Sequence, residues 1–232
     1  MHVLALSDYA ALLFFIAAWL GYHVAVERSP ARRRSLNVLM NEQRRLWMER
    51  MLTRENRIVD TTIMASLQNG TAFFASTSLL AIGGVLALFQ APDDVLTLFA
   101  QLPFATPTTR VIWELKVVGL AVIFVYAFFK FAWSYRLFNY AAILLGAVPI
   151  VRDEPTAEAH AAAARAAAMN QVAGRNFNRG QRAFFFALAY LGWFLSPYLL
   201  ILATAAVLVV MWRRQFASDA VKVMTMAGAE EA

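Results

Sequence analysis

Between residues 60 and 78 the chain gathers polar side chains that an apolar helix would not carry without a use. Asp60, Thr61, Thr62, Ser66, Gln68, Asn69, Thr71, Ser76, Thr77 and Ser78 interrupt a run otherwise fit for hydrocarbon. Hydroxyls and amides in that setting need partners, because no water is there to satisfy them. Spacings of four, three and seven return Thr62, Ser66, Asn69, Ser76 and Gly83 to nearly the same helix face. Two chemistries fit such a stripe. It can be interhelical hydrogen-bonding glue with close packing of small residues, worth about 0.6 kcal/mol per contact. It can equally be the polar lining of a pore or ligand cavity. Either use keeps the face away from lipid.

Ionisable groups at membrane depth are the second source of chemistry. Glu114 and Lys116 lie within two turns of Arg110. Arg110 and Glu114 stand at i, i+4 and can pair while the long side chains snorkel. In an oligomer, Glu114 and Lys116 could instead form an outer charge ring that selects ions. Lys130 sits among Phe128, Phe129, Phe131 and Trp133, which fits an interfacial aromatic belt. Asp60, near the opposite boundary, is expected to form a structural ion pair with Arg57 or Arg136. On the basic stretch before it, Arg44, Arg45 and Arg50 could contact anionic lipid headgroups, or belong to an extension packed against its neighbours.

Catalytic patterns do not emerge. The sequence has no Gly-rich phosphate loop, no His-Glu-x-x-His, no Gly-x-Ser-x-Gly and no Asp-x-Asp pair. With no cysteine at all, disulfides, thiolate metal sites and cysteine nucleophiles are excluded. Of three histidines, His2 is terminal, His160 lacks a second histidine at metal-site spacing, and His23 is a possible haem ligand with no obvious second. The expectation is a non-enzyme without catalytic residues, cofactor or metal.

The elements that must position these residues are membrane helices. Of 232 residues 60% are apolar and 16% charged, against about 25% charged in an average soluble domain. Mean hydropathy is +0.54. The apolar runs place spans at about residues 9–26, 61–89, 110–135 and 183–212, with Pro197 expected to bend the last. Lysine and arginine concentrate in residues 27–60 and 136–182, so both connections should be cytoplasmic and both termini external. Against this, Arg213, Arg214 and Lys222 follow the fourth span, and a re-entrant segment over residues 137–151 would turn the C-terminus inside. The sequence pI is about 10.0, an excess that topology explains without nucleic acid.

Two cytoplasmic helices complete the scheme. Leu36, Leu39, Met40, Trp47, Met51 and Ile58 recur at helical spacing over residues 35–60, with Ser35 as N-cap and a helix free to run on into span two. Residues 155–174 form an alanine-filled helix whose small side chains allow close approach of another helix or subunit, with Gly174 suited to its end. Residues 1–216 then make one membrane domain, and residues 217–232 a mobile tail.

Arg45, Trp47, Met48 and Met51, then Arg57, Ile58 and Asp60, then Asn69, Gly70, Phe73, Phe74, Ala75, Ser76 and Thr77 resemble the domain-of-unknown-function family numbered 599. The resemblance extends over most of the chain, with Phe73-Phe74-Ala75-Ser76 its most specific part. It implies an intact multipass membrane domain of a bacterial-type inner membrane, and brings no substrate, cofactor or catalytic residue. The expected architecture is an all-α helical bundle with four long transmembrane helices and cytoplasmic helical extensions. The expected function is a homo-oligomeric permeation or small-ligand pathway lined by the stripe of span two. Its alternative is a membrane scaffold or assembly factor whose cytoplasmic helices dock a partner protein or anionic lipid.

Overall fold

The computed structural model describes residues 4–90, 108–151 and 154–226. Among them the chain forms α1 (Leu6–Glu27), α2 (Leu36–Arg50), α3 (Ile58–Ala87), α4 (Arg110–Gly146), α5 (Ala157–Tyr190), α6 (Pro197–Phe216) and α7 (Asp219–Met226), and no strand. Four helices are long and apolar enough to cross a membrane: α1, α3, α4 and the one beginning at Pro197. Their starts are chemically marked. The hydroxyls of Thr109, Thr156 and Ser196 accept from the backbone N–H of Ile112, Ala159 and Leu199, capping α4, α5 and α6.

Boundaries differ from the sequence expectation at five places. The Arg-rich helix does not run on into α3: it ends at Arg50, a short 3-10 turn follows, and Arg54 is extended. Asn56 then accepts from the backbone N–H of Ile58 at 2.9 Å, so α3 has its own start. At the other end of α4 there is no re-entrant segment. The helix runs unbroken to Gly146, because Leu137, Phe138, Ala141 and Leu145 are buried in the same core as the alanines of α5.

The alanine-rich helix and the first part of the expected fourth span form one 34-residue helix, α5. Gly174 does not end it, since an added Cβ there would lie 3.0 Å from the guanidinium of Arg44, and glycine is what lets that group settle on the helix. Pro197 does not bend a continuous span. The chain breaks through the one-turn helix Gly192–Leu195, and Pro197 opens α6 where its missing N–H costs nothing. Finally, part of the tail expected to be mobile is the helix α7, while residues 227–232 lie outside the described residues.

Four contacts show α4 and α5 to be antiparallel over their full length. Trp113 meets Phe194, Gly119 meets Tyr190, Phe131 meets Gly180, and the Ser134 hydroxyl donates to the Ala173 carbonyl at 2.8 Å. α3 runs antiparallel to α4, with Gln68 against Asn139 and Phe74 stacked on Phe131. α1 runs antiparallel to the second half of α5: Asp8 accepts from the indole of Trp193, Phe15 meets Tyr190, and Glu27 meets Arg179. α6 returns beside α1 in the same direction, and the Tyr22 hydroxyl donates to the Met211 carbonyl at 3.1 Å.

Two hydrophobic cores result, stacked along the bundle. The upper one holds Phe15, Trp113, Phe131, Phe186, Trp193 and Leu200. The lower one holds Met48, Met51, Met64, Phe138 and the alanines of α5 from Ala159 to Ala173. Between membrane helices such packing rests on close van der Waals contact and interhelical hydrogen bonds, since lipid tails are as apolar as the side chains that displace them. Asp8 stands beside Trp193 at one end of the upper core, and Arg214 lies with Tyr22 and Arg182 at the other.

Candidate functional site

Asp60 anchors the lower layer. Its side chain is fully buried, accepts from the Trp47 indole at 2.6 Å and is ion-paired with Arg54. The expected pair with Arg57 or Arg136 is therefore corrected. Arg57 sits at the N-cap of α3 and reaches instead the carbonyls of Val148 and Pro149, at 2.6 and 2.7 Å, just past the end of α4. Those carbonyls have no helical donor, which makes them natural acceptors. Arg136 lies on the outward side of α4, donates to the Tyr140 hydroxyl at 2.6 Å and covers the rings of Trp133 and Tyr140. Arg54 reaches Asp60 because the extended backbone at that residue folds the α2–α3 link back.

The stripe of α3 faces outward. Thr62, Ser66, Asn69, Ser76 and Gly83 are all exposed on the single chain, and the Thr62 hydroxyl bonds back to Ile58 within the helix. The residues that α3 turns inward are others: Met64, Thr71, Ser78 and Val85. Two further exposed residues, Phe73 and Leu80, complete a seam at 62, 66, 69, 73, 76, 80 and 83, the 4-3 alternation of a helix that packs along a heptad seam. Met64 lies against Asn170 of α5. At 1.5 Å per residue that is about 13 Å below Arg179, so Thr62 and Ser66 belong to the level of the lower core.

Glu114 and Lys116 part company. Two positions apart on a helix they point to different sides. Glu114 pairs with Arg110 at 3.0 Å on the exposed side. Lys116 is buried, its ammonium 5.3 Å from the centre of the Trp193 ring whose indole donates to Asp8. Lys130 lies over the Tyr126 ring at 5.3 Å.

The three arginines of α2 also point apart. Arg44 donates to Asn41 at 3.0 Å and lies on Gly174, where burial, and then the nearby Arg175, lower its pKa from the ordinary value. Arg45 pairs with Glu42 and Glu49 at 2.6 and 2.7 Å, and this pairing raises its pKa and lowers that of Glu42. Arg50 is exposed. No single outward basic surface unites them.

A cluster that the sequence reading did not single out joins the two cores. Glu27 at the end of α1 receives Arg179 and Arg182 of α5 at once, and His23 stands 3.4 Å from the same carboxylate. Its signal was available in the spacing of Arg175, Arg179 and Arg182, which fall on one helix face. Among the described residues no group of three His, Asp or Glu side chains is placed to hold a metal ion.

A family model described as "Protein of unknown function, DUF599" matches residues 10–220, and the chain belongs to that family. No curated protein and no solved structure matches the chain.

Proposed function

We propose that this member of the DUF599 family is a non-enzymatic membrane scaffold that self-associates through the α3 seam and the neighbouring face of α4. In this reading the upper core lies in a bacterial-type inner membrane and the lower core projects into the cytoplasm. The N-terminus is then external, the C-terminus is cytoplasmic, and the upper half of α5 makes a fifth passage. Arg28, Arg44, Arg165, Arg182 and Arg214 then all fall on the cytoplasmic side, as the positive-inside rule requires.

The observation that carries the proposal is the exposed seam. Its polar members face away from the protomer, and at the lower level they adjoin exposed Ile58, Val59, Ile63, Ile143 and Ile150. Apolar surface of that kind outside the bilayer marks an interaction face. A second copy offers the same surface, and Asn69 is the sort of single polar seam residue that fixes register. Permeation along an axis of α3 helices is the second reading, favoured by the polarity of Thr62, Ser66 and Asn69. Their depth favours the scaffold, since a stripe at the lower level lines a vestibule while Phe73 and Leu80 occupy the seam above it.

The cysteine-free background makes a direct test. Ser66→Cys or Asn69→Cys should give an intermolecular disulfide in native membranes, and Ser78→Cys on the buried side should not. Absence of cross-links from a monomeric particle would overturn self-association. Ion or solute flux through reconstituted wild-type protein would favour permeation.

A further inference from the structure

At the junction of the two cores the end of α1, the start of α2 and the middle of α5 border a cleft of about 220 Å³, lined by Glu27, Ser35, Asn37, Arg175, Arg179 and Arg182. A second lobe of about 180 Å³ shares Asn37, Asn178 and Arg182 and continues to Arg214 and Gln215 of α6. Across the two lobes four guanidinium groups face a single carboxylate, Glu27. Asn178 donates to Asn37 at 2.9 Å and ties α5 to α2 at the cleft.

Two observations point to a missing acceptor. Ser35 is fully buried and borders the cleft, yet its hydroxyl has no partner. It holds the N-cap position of α2 without capping it, which leaves the positive end of that helix unsatisfied by a side chain. In the second lobe the amide nitrogen of Gln215 is buried and unpartnered as well. An oxyanion with several acceptor oxygens offers the kind of acceptor that each donor lacks and answers the excess positive charge.

The same end of the bundle carries an apolar groove of about 530 Å³ between α1 and α6, bordered by Ala17, Gly21, Ala25, Leu208 and Trp212. Tyr22 borders both this groove and the second lobe. An added Cβ at Gly21 meets nothing within 4 Å, so the groove is open along its floor. A polar cleft for an anion contiguous with an apolar channel is the shape of an amphiphile.

We propose that the cleft binds the phosphodiester headgroup of an anionic phospholipid, with one acyl chain in the groove between α1 and α6. The inference shares with the scaffold reading only the membrane embedding and holds equally for a monomer. The full-length protein in detergent is titrated with phosphatidylglycerol, phosphatidylcholine or inorganic phosphate, following lipid retention by native mass spectrometry and the thermal unfolding midpoint. Phosphatidylglycerol is expected to be retained and to raise the midpoint, and phosphatidylcholine to do neither.

Arg214→Gln should weaken phosphatidylglycerol binding about fivefold, the equivalent of about 1 kcal/mol per basic residue. Arg45→Gln, on the outer side of α2, should leave it unchanged. Ser35→Ala should weaken binding while leaving the lipid-free midpoint in place. Gly21→Phe should fill the groove and lower lipid retention without lowering the lipid-free midpoint. Equal retention of both lipids would overturn the proposal. So would a full midpoint shift from inorganic phosphate alone with Gly21→Phe indifferent, because the site would then be one for a soluble anion.

Discussion

Gly119 offers a quantitative test of the antiparallel pairing of α4 and α5. A Cβ at that position would lie 2.0 Å from the Tyr190 hydroxyl oxygen and 2.8 Å from the ring carbon that bears it. Tyr190 cannot swing aside, since it is 4% exposed and its ring meets Phe15 at 5.5 Å and Trp193 at 5.4 Å. Gly119→Ala must therefore push the helices apart, an overpacking cost of about 1–3 kcal/mol. Better helix propensity returns at most about 1 kcal/mol. With a contact this short the upper half of the range applies, and the net loss is expected to be about 1–2 kcal/mol. Tyr190→Phe removes the 2.0 Å contact and leaves the 2.8 Å one, so the double variant should regain part of the loss, with a coupling of at least about 0.5 kcal/mol. Unfolding by SDS in mixed micelles, followed by tryptophan fluorescence, measures all four proteins. Strict additivity, or a Gly119→Ala protein more stable than wild type, would refute the packing argument.

Other expectations concern the ion pair and the topology. Asp60→Asn should cost about 1–3 kcal/mol in the same assay, because the buried acceptor shared by the Trp47 indole and Arg54 loses its charge, whereas Arg136→Gln should change stability by less than about 0.5 kcal/mol; equal losses would mean that Arg136 and not Arg54 supports Asp60. An impermeant thiol reagent applied to intact cells should label Ala5→Cys and spare Lys222→Cys. Labelling of both would return the termini to one side and remove the passage assigned to α5.

Local signals made the apolar helices legible. Runs such as that from Val117 to Phe129 declare themselves through hydropathy alone, whereas the capping roles of Thr109 and Thr156 came from the structure. The contacts of the upper half of α5 were hidden because the partners of Asn178, Arg179 and Arg182 on α1 and α2 are more than a hundred residues away. The partner of Asp60 was out of reach for a different reason. Arg54, Arg57 and Arg136 are equally good cations, and only the path of the backbone through residues 51–57 decides among them. The α3 stripe was legible as a stripe, while its depth depended on which turn of α5 stands beside Met64. Glu27 ended a span and the arginines read as topology signals, so their meeting needed the fold.

The distance along the chain between Glu27 and its arginines has a consequence for biosynthesis. Glu27 is 152 residues ahead of Arg179 and 155 ahead of Arg182, and Asp8 is 185 ahead of Trp193. At about 5–20 residues per second, the first helix waits on the order of 8–30 seconds in the bilayer before the groups that meet both its carboxylates have been made. During that interval the two carboxylates of α1 have only local partners, the Ala5 N–H for Asp8 and His23 for Glu27, and water or lipid headgroups must supply the rest. A nascent chain halted before α5 therefore differs from the finished protein by exposed acidic groups at both ends of its first helix, a difference on which a membrane quality-control protease can act. The last third of the translation product, by supplying Arg179, Arg182 and Trp193, completes the first helix as well as itself.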